Sequence, residues 1–311
     1  MEEKKLDSLV KGEKSGVQVT VKTLLDAGAH FGHQTERWNP KMLPYIFGER
    51  NGVHILNLDH TLRKWEIARK FIVDRVSLGG QALFVGTKLQ SREIIQREAE
   101  RCGSYYVTSR WLGGTLTNFG TIRRSIERMK KLEELLAAAE VPDSKVRLNK
   151  KEKLNISRQI DKLVANIGGI RSMKKTPDVL FVVDINKEDL AVAEARRLHI
   201  PVVALVDSNV DPEVVDFAIP SNDDASRAVE LFSAAVADAV LEGLEIFKAR
   251  FPRGIIAADT GDRGDAGEAR NTPASNRRGK RGAPAGKDKD KDKDKEEAGK
   301  SGSDENVTAS A

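Results

Sequence analysis

Two histidines three residues apart, His30 and His33, and two distant aspartates, Asp184 and Asp207, are the first candidates for a metal site in this chain. Imidazole and carboxylate are ordinary ligands for divalent cations, and each aspartate follows an apolar run that reads as a strand, where α/β ligand sites gather. The plainer reading is that the histidines hydrogen-bond in the core while the aspartates cap helices or turns. The sequence favours that reading, so neither metal nor cofactor is expected.

Other familiar chemistry fails on spacing. Gly86-Thr87-Lys88 follows a predicted strand, but a nucleotide-phosphate loop needs an adjacent Gly-Lys pair and a glycine five residues earlier, and Thr87 interrupts that pair. Gly113-Gly114 has no third glycine at the dinucleotide offset and reads as a close backbone turn. Cys102, the single cysteine, closes a predicted helix without a His-Asp team and excludes an internal disulfide. No catalytic constellation is present, and the chain reads as a non-enzyme.

Nucleic-acid chemistry is better represented. Arg37, Trp38, Asn39 and Lys41 flank Pro40 within five residues, joining a planar phosphate fork and a stacking face on a restrained backbone. Trp38 either stacks on a base or packs into the core, and the order of the segment favours an RNA-facing loop. Between Arg110 and Lys175 there are 16 Lys+Arg against 7 Asp+Glu, a net +9 that exceeds the +5 of the whole chain. Arg110, Arg123, Arg124, Arg128, Lys174 and Lys175 lie in that basic segment and join the first four as RNA-binding candidates.

These residues need a scaffold. Residues 1–16 read as a flexible N-terminus, and Val21 to Ala29 as a short helix. Tyr45-Ile46-Phe47 and Val53-His54-Ile55-Leu56 flank Asn51-Gly52, a hairpin signal. Thr61 to Ser77 carries an apolar stripe that places Trp65 in the core. Strand and helix patterns then alternate: 82–85, 91–102, 105–108, 179–183, 187–198, 202–206 and 223–247, with Phe217-Ala218-Ile219 a possible edge strand. Short apolar strands separated by amphipathic helices predict a doubly wound, mainly parallel α/β sheet. That domain spans 17–117 and 171–250, interrupted at 118–170 by an inserted antiparallel helical hairpin of coiled-coil type, with Ile122, Ile126, Met129 and Leu136 on one helical face and Ile156, Ile160, Leu163, Ile167 and Ile170 following at alternating steps of four and three. Residues 251–311, with 13 Lys+Arg against 12 Asp+Glu, read as a disordered charged tail.

Three blocks carry a resemblance. Thr23 to Gly32 (TLLDAGAHFG) with His33, Trp38-Asn39-Pro40-Lys41-Met42 and Phe47-Gly48 form the first; Arg110 to Asn118 (RWLGGTLTN) the second; Pro177 to Pro201 the third. Together they resemble the bacterial type of the small-subunit ribosomal protein two family across residues 17 to 247. The resemblance implies a flavodoxin-like domain with a projecting coiled-coil hairpin. It further implies a structural, non-enzymatic role in translation, on the back of the small ribosomal subunit between head and body. Expected partners are ribosomal RNA and neighbouring ribosomal proteins, including the large messenger-binding protein, number one of that subunit. One cysteine, no apolar run of ~18 residues and a charged N-terminus point to the cytoplasm without a membrane partner, and the resemblance implies a place on the ribosome there. A free RNA-binding regulator and an enzyme using the sheet crevice are the alternatives.

Overall fold

The computed structural model describes residues 16–139 and 147–251. Its first part is a short helix and a small antiparallel sheet. Helix α1 (Val21–Asp26) is capped by Thr20, whose hydroxyl accepts from the Thr23 amide while Thr23 bonds back to the Thr20 amide. Strands β1 (Phe31–Gln34), β2 (Ile46–Arg50) and β3 (Val53–Leu56) follow, in the order β1-β3-β2. Asn51 and Gly52 both have positive φ, 55° and 75°, as a two-residue hairpin turn requires, so the predicted ribbon is present. β1 is an addition. HFGH has no apolar alternation, and its pairing with β3 is tertiary rather than local.

Helix α2 (Leu58–Ser77) begins three residues earlier than its apolar stripe indicates, because the Asn57 side chain caps it through the Asp59 amide at 3.0 Å. The chain then runs β4 (Ala82–Val85), α3 (Arg92–Arg101), β5 (Tyr105–Val107), α4 (Phe119–Ala138), α5 (Lys150–Ile167), β6 (Val179–Val183), α6 (Asp189–Arg197), β7 (Val202–Val206), β8 (Phe217–Pro220) and α7 (Ser226–Arg250). β4 to β8 form one parallel sheet of order β5-β4-β6-β7-β8. That is the flavodoxin-like order, with its reversal between β4 and β6.

The sheet is covered on both faces, which explains why β4, β6 and β7 are buried at every position. Alternate residues feed two cores. Phe84, Phe181, Val203 and Leu205 pack with Trp65, Val76, Phe232 and Val240 of α2 and α7. Leu83, Val85, Leu180, Val182 and Ala204 pack on the other side with Trp111, Leu116, Ile122, Ile126 and Ile167. Trp65 is 4% exposed and lies edge-on to Phe232 at 5.9 Å, so it is a core residue as its helical position predicts.

Helices α4 and α5 pack on each other. Arg128 reaches Gln159 at 3.4 Å and the Lys153 ammonium reaches the Ala139 carbonyl at 3.1 Å; later residues of α4 meet earlier ones of α5, as an antiparallel pair requires. Near the sheet Ile122, Ile126, Met129, Ile167 and Ile170 are buried, whereas Leu136, Ile156 and Ile160 are only half-buried. The connecting turn, the first fifteen residues and the charged tail beyond Phe251 lie outside the described residues.

Candidate functional site

At the carboxyl ends of the parallel strands, the loops after β4, β6, β7 and β8 converge with β1. Each contributes one or two ionisable side chains. Lys88 follows β4, Asp184 follows β6, Asp207 follows β7, and Asp223 and Asp224 precede α7. The Lys88 ammonium lies 2.8 Å from Asp223 Oδ1, 2.7 Å from Asp224 Oδ1 and 3.0 Å from Asp184 Oδ2. Burial penalises its charge, but the three carboxylates more than compensate and hold its pKa above the usual lysine range. Asp223 is pushed up to about 7, chiefly by burial and then by the neighbouring Asp207 charge, which Lys88 offsets only in part.

His33 enters the same cluster from β1. Its Nδ1 is 3.0 Å from Asp207 Oδ2 and its Nε2 is 3.3 Å from Asp224 Oδ2. The Asp207 hydrogen bond is the main reason its pKa is raised, against the opposing effect of burial. Ser208 seats the strand: its hydroxyl accepts from the His33 amide at 2.8 Å, and its carbonyl accepts from the Asn39 amide at 2.8 Å. The approach is close enough to require Gly32, because a Cβ there would stand 2.7 Å from the Ser208 Oγ. Crevice and Trp38 loop therefore share one mount.

Of the four metal candidates read from the sequence, the structure brings His33 and Asp207 into direct contact and places Asp184 across Lys88. His30 is not in the cluster; it packs on Phe31 at 4.0 Å, and burial lowers its pKa. Lys88, Asp223 and Asp224 have no motif of their own. The available signal was position, since Asn222-Asp223-Asp224 follows the last strand and precedes a long helix.

The phosphate-loop reading is closed physically as well as by spacing. The Thr87 amide donates to Glu188 Oε1 at 3.0 Å, the Thr87 hydroxyl donates to the same oxygen, and the Gly86 amide donates to the Val107 carbonyl at 3.1 Å. Neither of those two amides is free to cradle a phosphate. Cys102 is buried with its thiol pushed up by burial, the opposite of an activated nucleophile.

The Arg110 to Asn118 block is anchored by one carboxylate. Glu194 of α6, 8% exposed, accepts from the Trp111 indole at 3.1 Å, from the amides of Gly114, Leu116 and Thr117 at 2.7, 2.9 and 2.9 Å, and from the Thr117 hydroxyl at 3.0 Å. Gly114, at φ +87°, supplies the left-handed turn that aims those amides inward. The block is a carboxylate-filled nest, which fixes where Arg110 stands exposed beside it.

Among the RNA-binding candidates, Arg37, Arg110, Arg123, Arg124, Arg128, Lys174 and Lys175 are exposed. Arg123 and Lys175 make surface ion pairs with Glu127 (3.6 Å) and Asp178 (3.0 Å). Trp38 is half-buried, its ring 5.4 Å from that of His54 and tilted by 50°. Asn39 turns its side chain to the Lys41 amide as a cap. Lys41 is exposed but held between Asp211 at 2.7 Å and Glu213 at 2.5 Å.

The crevice at the strand ends is occupied by the protein's own ion pairs, and the exposed basic side chains lie on the first loop and on the α4–α5 helix pair of a flavodoxin-like domain. The family model described as Ribosomal protein S2 matches residues 24–243. Over 232 residues the chain is 52% identical to the small ribosomal subunit protein uS2 of Nitratidesulfovibrio vulgaris strain DP4, covering 75% of this chain and 90% of the relative. Relatives with the same description from Oleidesulfovibrio alaskensis and Chelativorans sp. are each 53% identical, over 72% and 73% of this chain and 85% and 83% of their own lengths. The chain belongs to the ribosomal protein S2 family.

Proposed function

We propose that the protein is a structural, non-enzymatic constituent of the small ribosomal subunit, binding ribosomal RNA and neighbouring ribosomal proteins in the cytoplasm to support translation. Family membership across residues 24–243 carries this reading. Arg37 and the exposed side of Trp38 contact RNA from the first loop, backed by Asn39 and Lys41. Arg110, Arg123, Arg124, Arg128, Lys174 and Lys175 contact phosphates or an acidic neighbour from the basic segment. In this reading the large messenger-binding protein, number one of the same subunit, docks beside it. Residues 118–170 act as an inserted arm of the 17–117 and 171–250 domain.

Sedimentation of a cell lysate through a sucrose gradient tests this. The protein should travel with small subunits and remain with them at moderate salt. Recovery in the soluble fraction would instead identify a free RNA-binding regulator or an enzyme.

A further inference from the structure

We infer that Asn51-Gly52, the turn between β2 and β3, is a self-modification site at which the chain loses ammonia and gains a carboxylate beside its first loop. The reaction rests on the chemistry of the turn alone; its consequence rests on the RNA-binding reading of Arg37 and Trp38.

Only the chain and water take part. The Gly52 backbone nitrogen attacks the side-chain carbonyl carbon of Asn51, the bond from that carbon to Nδ2 breaks, and the displaced nitrogen leaves as ammonia with the amide proton. Water then opens the five-membered imide. Addition at the side-chain carbonyl gives aspartate; addition at the main-chain carbonyl of residue 51 gives isoaspartate, which routes the backbone through the side chain and lengthens it by a methylene. Nothing is oxidised or reduced.

The sequence and the fold both single out this position. Asn51 is the one asparagine in the chain that glycine follows. A side chain on the following residue hinders approach of its nitrogen, and Gly52 has none; even a Cβ built there would meet nothing within 4 Å, so the turn stands in open space. Both residues are exposed, and among the described residues the Gly52 amide donates to no acceptor. Other asparagines are held back. Asn39 precedes Pro40, whose nitrogen carries no proton. The side-chain oxygen of Asn57 accepts from the Asp59 amide at 3.0 Å, and that of Asn222 from the Asp224 and Ala225 amides at 2.9 and 3.1 Å, which fixes both side chains.

The product matters because of what the turn supports. The Gly52 carbonyl accepts from the Thr35 amide at 3.0 Å, and Thr35–Arg37 is the short helical turn that delivers Trp38. A carboxylate at residue 51 opposes RNA phosphates beside that loop, and an added methylene breaks a two-residue turn that depends on φ of 55° and 75°.

In the test, the full-length chain is held in mildly alkaline buffer while peptide mapping by mass spectrometry follows residue 51, and isoaspartyl methyltransferase labelling separates the two products. Asn51 should convert ahead of Asn57 and Asn222. Affinity of the converted chain for a transcript of the small-subunit ribosomal RNA should fall about two- to fivefold, the weight of one exposed charge pair. Asn51→Asp should show that loss from the start, and Asn51→Gly, which suits the same turn, should keep its affinity throughout. An unreacted Asn51 in the folded chain, under conditions where the urea-unfolded chain converts, would overturn the site, because the hairpin then protects the bond. Conversion with unchanged affinity would overturn its effect on binding. Conversion in a chain that binds no RNA even before incubation would instead sink the RNA-binding reading, and with it the consequence but not the reaction.

Discussion

Glu194 shows how much of a recognition surface can depend on a residue that never reaches it. Burial alone would raise its pKa, but the amides of Thr117, Gly114 and Leu116 and the Trp111 indole reverse that and hold it below the ordinary value of 4.5. Glu194→Gln should cost roughly 2–6 kcal/mol, because at least two donors lose their acceptor at ~1–3 kcal/mol each. The sign of the pH effect is fixed. A depressed folded-state pKa adds stability above pH 4.5 that is lost as pH falls through the folded value, so the gap between wild type and Glu194→Gln should narrow from pH 7 to below pH 4. Denaturant titration at both pH values checks this; a constant gap would mean that the carboxylate is not the acceptor. Trp38 behaves differently. Half-buried against His54, it should lose about 1–3 kcal/mol of stability on Trp38→Ala, below the ~3–5 kcal/mol of a fully buried aromatic, and RNA affinity of the folded variant should fall by ~1–3 kcal/mol. Unfolding and RNA binding measured on that one variant separate the two contributions. RWLGGTLTN was legible as a turn-bearing block, but nothing local pointed to an acid 80 residues away. Lys88, Asp223 and Asp224 were hidden for the same reason: each is an unremarkable surface-type residue until parallel strands bring their ends together.

Elements were easier to read, because burial on both faces forces continuous apolar strands and a covering helix must carry an apolar stripe. All five strands of the parallel sheet and the Asn51-Gly52 ribbon could be placed this way, including the short β8. β1 could not, since HFGH has no apolar alternation and no tight turn joins it to β3. Helix packing adds a test of the architecture. Gly243 on α7 faces α2 so closely that a Cβ would lie 2.7 Å from Val76 Cβ and 3.0 Å from the Val73 carbonyl. In an isolated helix Gly→Ala gains ~1 kcal/mol, whereas overpacking a core costs ~1–3 kcal/mol. Here the obstruction is backbone and a β-branched stem, so Gly243→Ala should be net destabilising by about 1–2 kcal/mol; a stabilised variant in thermal unfolding would show that α2 and α7 can separate freely. The basic helix pair carries the functional counterpart. Replacing Arg123, Arg124 and Arg128 by Glu should weaken association with small subunits while leaving circular dichroism native, since all three are exposed and the buried Ile122, Ile126 and Met129 are untouched. Near-wild-type occupancy on subunits would remove this surface from the proposed interface.

At the scale of the whole molecule, most of the net charge belongs to residues 1–251. The buried residues of both cores end at Val240, with Leu241, Leu244 and Ile246 packed against them, and the family match ends at 243. Residues 252–311 lie outside the described structure, yet they hold 13 of the 52 Lys+Arg and 12 of the 47 Asp+Glu. Removing them leaves 39 against 35, a net +4 instead of +5. Long-range attraction to a polyanion should hardly change. A chain ending at Phe251 should therefore melt within about 2 °C of the full-length protein, under ~1 kcal/mol for a body of this size, and should still enter small subunits. The salt dependence of its RNA binding then decides what Arg277, Arg278, Lys280 and Arg281 do. If those four cations sit on phosphates, each contributes roughly 0.7–0.9 to the slope of log affinity against log salt, and truncation should flatten that slope by about 3. We expect no such change, because alternating Lys and Asp from Lys287 to Lys295 can neutralise itself locally and the net +9 between Arg110 and Lys175 already supplies a concentrated basic surface. A slope reduced by 3 with unchanged melting would transfer part of the RNA contact from the helix pair to the tail.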